Sequence, residues 1–143
     1  MNAARLRTLP ALLAFALTLA IARAEDLAGF HAALDVARQH SRSALAHLHA
    51  GDTPLAVMEI SRLRESFGLL IERYGAERRA AHKDRQEYAT AVVDIPLRLV
   101  TAQMMIDFGR PDIAASSLLA VCRALGVLQE SPESADATRC QSE

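Results

Sequence analysis

Four of the five histidines, His31, His40, His47 and His49, fall between Phe30 and Ala50, and neutral imidazole is the commonest ligand for a transition metal. Spacing decides whether they can share an ion. His40 and His47 stand seven residues apart, on one face of a helix but about 10.5 Å apart along its axis, too far to grip one metal. His47 and His49 point to opposite sides of a regular helix. If that helix frays near Ala50, then His47, His49 and Asp52 can converge on Ni²⁺, Cu²⁺ or Zn²⁺. The plainer reading, preferred here, is a set of solvent-exposed histidines on an alanine-rich helix.

The remaining chemistry is sparse. Cys122 and Cys140 are the only thiols, with no C-x-x-C for redox work or covalent haem attachment. In an exported chain an even cysteine count predicts a disulfide, here Cys122 to Cys140, worth about 3 kcal/mol in the chain-entropy view. Met58, Met104 and Met105 lack the M-x-x-M grouping of a Cu(I) site and read as gap-fillers, with Met104 expected in the core. A b-type haem needs an axial His or Met facing a bundle interior, and only His31 approaches that position. No G-x-S-x-G, H-E-x-x-H, glycine-rich phosphate loop or Walker pattern occurs. Glu59 lies beside an apolar stripe, where pairing with an arginine at the core's edge is its expected fate. The chain is read as a non-enzyme, with no catalytic residue and no cofactor.

These residues follow what looks like an export signal. Arg5 and Arg7 precede an apolar run from Leu9 to Ile21, and Ala22-Arg23-Ala24 comes directly before Glu25-Asp26. This is the organisation of a secretory signal peptide with a small-x-small cleavage site. The run is shorter than the roughly 20 residues of a membrane span. Residues 1–24 are therefore expected to be removed, leaving a periplasmic or secreted protein with no span in its mature part. Losing Arg5, Arg7 and Arg23 lowers the formal net charge of −1 by three. A mildly acidic chain argues against nucleic acid as a partner.

Helical periodicity dominates the rest. Phe30, Leu34, Leu45 and Leu48 align with Leu27 at 3.6 residues per turn; Ile60, Leu63, Phe67 and Tyr74 do so next, then Tyr88, Ile95, Leu99 and Ile106, then Ala114, Leu118, Val121 and Leu125. No window alternates with period two for long. The prediction is an all-α, four-helix bundle over 25–130, built from two antiparallel helical hairpins. A polar tail, 131–143, would be tied back by the disulfide.

Two stretches, GDTPLAVMEISRLRESFG from Gly51 and GRPDIAASSLLAVCRALG from Gly109, punctuate this pattern alike. The leading glycine suits the left-handed conformation at a helix end. Thr53 can cap the following helix, and proline fits its first position. Ile60/Leu118, Leu63/Val121, Phe67/Leu125 and Leu55/Ile113 then match in type, as when two second helices of hairpins bury equivalent faces. The turn from Gly51 to Ala56 is similar to that of a tetratricopeptide repeat, but the two copies lie further apart than that family's period of about 34 residues. The second helix ends at Gly75 or runs on to about Ala81. Asp84 with Glu87 resembles a capping box before a third helix, and Pro96 should kink that helix.

The third helix carries a second stripe, Val93, Leu97, Val100, Met104 and Phe108, nearly opposite its first. A helix apolar on two sides is either sandwiched within its own domain or pairs with something outside it. The leading expectation is therefore a non-enzymatic interaction or accessory module that binds a protein partner, or a second copy as a homodimer, through the third helix. The alternatives are a periplasmic metal-binding or metal-sensing protein using the first-helix histidines, and a small accessory subunit of an exported oxidoreductase. Intact-mass measurement of exported protein should give a chain beginning at Glu25; a mature product that keeps Leu9 to Ile21 would contradict the leader.

Overall fold

A computed structural model describes residues 9–129, with side chains from Glu25 onward. It contains four helices, α1 (Leu9–His49), α2 (Thr53–Ala81), α3 (Gln86–Asp107) and α4 (Pro111–Gln129), and no strand among the described residues. The backbone of α1 is helical without interruption across Ala24 and Glu25. Arg5, Arg7, the polar tail from Ser131 and Cys140 lie outside the described residues.

The two glycine turns are copies of one hydrogen-bonded motif. Gly51 and Gly109 take φ of 76° and 68°. Each glycine N–H donates to the carbonyl three residues back, Gly51 to Leu48 at 3.1 Å and Gly109 to Ile106 at 2.9 Å. The next N–H reaches five residues back, Asp52 to His47 at 2.8 Å and Arg110 to Met105 at 2.7 Å. This pair of bonds is the Schellman closure, which satisfies the last carbonyls of a helix and needs a left-handed residue. The sequence repeats because the same turn is built twice.

Other helix ends depart from the sequence reading. Asp52, not Thr53, caps α2, its carboxylate accepting from the Leu55 N–H at 3.3 Å. Pro54 has no N–H to offer, so the first donor within reach is that of Leu55, three residues past Asp52. α2 passes through Gly75, which is buried, and ends at Ala81, where the His82 N–H closes on the Arg78 carbonyl at 3.0 Å. The expected Asp84–Glu87 capping box does not form: Arg85 is the N-cap of α3, and its side chain makes no capping hydrogen bond. α3 continues through Pro96, whose ring nitrogen has no hydrogen for the Val92 carbonyl.

α1 packs along α2 and α3 along α4 most extensively; α1 also meets α4, and α2 meets α3 over a more limited seam. The interior that results is centred on Phe30, Leu34, Ile60, Leu63, Ile95 and Leu99, all essentially excluded from solvent. Ala37, Ala44, Ala56, Ala102 and Ala114 are also fully buried, and their small side chains let the helices approach closely. Three of the four matched pairs are buried as expected, whereas Leu55 and Ile113 sit at the rim. Leu27 is likewise not core: it lines an open cavity of about 450 Å³ with Tyr74 and Arg78. At this end of the hairpin α1 and α2 come so close that a Cβ on Gly29 would stand 2.5 Å from the Tyr74 hydroxyl. Between α1 and α4 the buried Ser41 Oγ lies 3.1 Å from Cys122 Sγ.

The backbone geometry separates two kinds of glycine. Gly109→Ala should cost about 1 kcal/mol, because a Cβ disfavours positive φ, although nothing lies within 4 Å of that position. Gly68 is exposed inside α2 with equally open surroundings. Gly68→Ala should instead stabilise by roughly 0.5–1 kcal/mol, by removing backbone freedom from the unfolded chain. Urea unfolding of the two variants measures both signs.

Candidate interaction surface

α3 has the right length and packing to bury one stripe, and its sequence supplies two. Tyr88, Ala91, Ile95, Leu99, Ala102 and Ile106 face inward and are buried. The opposite stripe stays in solvent: Val93 is 70% exposed, Leu97 63%, Val100 52%, Met104 44% and Phe108 70%. Among the described residues no neighbouring helix covers them, because α2 and α4 flank α3 from the core side. Met104 is thus not a core residue; it lies at a position half a turn away from the helix's buried face. α3 and α4 are each long and apolar enough to cross a membrane by length and composition, α4 being the more buried of the two.

Charge near the stripe is largely cancelled. Asp94 accepts a hydrogen bond from Arg98 one turn later, both partly buried. The same pair borders an open groove of about 890 Å³ between the start of α3 and the end of α4. That groove mixes Asp84, Glu87 and Asp94 with Arg85, Arg123 and Thr90.

Two polar clusters elsewhere were only partly legible in the sequence. Glu59 is 7% exposed and is held from two sides, by His40 Nδ1 at 2.7 Å and Arg62 Nη1 at 2.8 Å. The arginine matches the expectation for Glu59; the histidine, reaching across from α1, corrects the reading of His40 as a free surface residue. The His40 hydrogen bond is the main reason the Glu59 carboxyl lies below its ordinary value of 4.5, with Arg62 assisting and burial opposing. A carboxylate can only accept, so His40 Nδ1 carries the hydrogen. A buried acid beside an exposed-looking histidine was the available signal, since burial of a charge demands partners.

The second cluster sits where α2 passes into α3. His82 stacks on Tyr88 with ring centroids 4.7 Å apart. Its Nε2 accepts from Arg78 Nη2 at 3.0 Å, while the same guanidinium lies 4.6 Å over the Phe30 ring. Burial, followed by Arg78 and Arg85, pushes the His82 pKa below 6.5. Burial also pushes the Tyr88 phenol up, and its hydroxyl has no hydrogen-bond partner among the described residues.

The first-helix histidines are not drawn together. His49 is exposed, His47 half-buried, and the Asp52 carboxylate is used by the α2 cap. Among the described residues no three His, Cys, Asp or Glu side chains form a group able to hold a metal. Cys122 is buried; its proposed bridge to Cys140 reaches beyond the described residues.

Acid should weaken the fold in two steps. The unfolded chain protonates His82 from about pH 6.5 downward, before the folded chain does, so stability present above that pH is lost as pH falls. Glu59 acts lower: its contribution is present above pH 4.5 and disappears as pH falls through its depressed folded value. Thermal midpoints across pH 7.5 to about 3 should show His82→Gln flattening the upper step and Glu59→Gln the lower. An unchanged upper slope in His82→Gln would contradict this assignment.

No protein-family model, curated protein or solved structure matches this chain.

Proposed function

We propose that this is an exported, non-enzymatic helical protein that works by binding another protein surface through the outer face of α3. The observation that carries the reading is the exposure of Val93, Leu97, Val100, Met104 and Phe108 on a helix whose other face is already buried. An apolar patch left in water is unfavourable by roughly 25 cal/mol for each Å² that contact would cover, and contiguous patches of this kind mark interaction sites. Export is supported by Arg5 and Arg7, the run from Leu9 to Ile21 and the Ala22-Arg23-Ala24 site. Such a placement fits an acidic mature chain with no phosphate-binding or nucleophile motif.

The test separates surface from core. Leu97→Glu combined with Met104→Glu should leave helicity unchanged and stability within about 0.5 kcal/mol, as for exposed substitutions. In native extract the unaltered protein should fractionate above its monomer mass and the double variant at it. A double variant that unfolds would place the stripe in the core and remove the reading.

A further inference from the structure

We infer that the occupant of the α3 face is a second copy of this chain, lying antiparallel with Val100 beside the twofold axis. The inference rests on the preceding reading of that face as the working surface. From Val93 to Leu97, Val100 and Met104 the steps are four, three and four residues, the spacing that keeps a seam turned toward one partner helix. With Phe108 the seam spans fifteen residue steps, about 22 Å. A partner helix of equal length and equal spacing is α3 itself.

Side-chain size selects the direction. Reversed about a point between Val100 and Thr101, Val93 lies opposite the partner's Phe108, and Leu97 opposite the partner's Met104. Valine at one end of the stripe then meets phenylalanine, leucine meets methionine of similar volume, and Val100 packs beside the axis opposite the partner's Thr101. A parallel arrangement would set Phe108 on the partner's Phe108 and Val93 on the partner's Val93, crowding one end and leaving a gap at the other. Antiparallel helices also oppose their dipoles.

Charge and area agree with a second copy. Asp94 is already paired with Arg98, and Asp107 lies on the opposite flank of the stripe from Asp94. The twofold therefore sets no like charges against each other. Glu87, Asp94 and Asp107 leave the flanks short of the lysines and arginines that an anionic membrane surface attracts. The exposed apolar area is on the order of 500 Å² per copy, the size of a functional patch. It suits the dry centre of an interface of about 800 Å² per side, with Gln86, Thr90 and Thr101 at its polar rim.

Sedimentation of the purified protein at micromolar concentration should read twice the monomer mass, and Leu97→Glu should raise the dimer dissociation constant at least about a hundredfold. Direction is tested by cysteine cross-linking. Val100→Cys should bridge to its own copy on oxidation; Val93→Cys should bridge to Phe108→Cys in a mixture of the two proteins and not to itself. Self-bridging of Val93→Cys would overturn the antiparallel arrangement. A purified protein that stays monomeric would overturn the second copy as occupant. If that monomer still fractionated in extract through an intact α3 face, the interaction surface would stand with another chain on it; if it fractionated alone, both readings would fall.

Discussion

A helix can end sharply and fold back only if its last carbonyls find donors, and here that closure is made twice by a glycine at positive φ. Gly51 and Gly109 each let two successive N–H groups turn inward, which fixes the angle at which α2 leaves α1 and α4 leaves α3. Everything downstream depends on that reversal. It sets Phe30 of α1 against Tyr74 of α2, ring edge to ring face, and it allows alanines to stand where helices come closest.

The same arrangement determines what is left over. Two hairpins face each other across one core, so each helix is called on to bury a single stripe. α2 has a sequence suited to that demand, with mostly polar and charged residues on its solvent-facing side. α3 does not: its outer surface from Val93 to Phe108 is as apolar as its inner one, and the charged pair it carries between them is neutralised within the helix. Local pattern and global fold disagree at this one element. Disagreement of that kind is expected where a surface serves binding rather than folding.

Much of the architecture could be read from the sequence because it rests on short-range rules. Periodicity located four helices, and the Gly–Pro punctuation located both tight turns. What it missed were choices between nearby equivalents. Asp52 and Thr53 are adjacent candidates for the α2 cap, and it is the Asp52 carboxylate that accepts from the Leu55 N–H. Gly75 was tolerated inside α2 because packing against neighbouring helices outweighs a weak helix propensity. The outer stripe of α3 was visible as a pattern, but its exposure depended on where α2 and α4 were placed. The His40–Glu59 bond joins residues on different helices, and no spacing rule within one helix announces it. Nor does any local rule announce the stacking of His82 on Tyr88.

That last corner has a mechanical meaning. Contacts within each hairpin are more extensive than those between hairpins, and the seam of α2 with α3 is the most limited of the four. Cooperative opening follows the weakest boundary, so the hairpins are the natural units of partial unfolding, with the segment from His82 to Arg85 as their hinge. Arg78, His82 and Tyr88 form a latch across that hinge, one assembled from a neutral imidazole and a buried phenol that has no hydrogen-bond partner among the described residues. Protonating the imidazole would place a second cation beside Arg78 and weaken the contacts across that hinge. Acid is therefore expected to act first at this seam between the hairpins, where a buried imidazole lies beside a guanidinium.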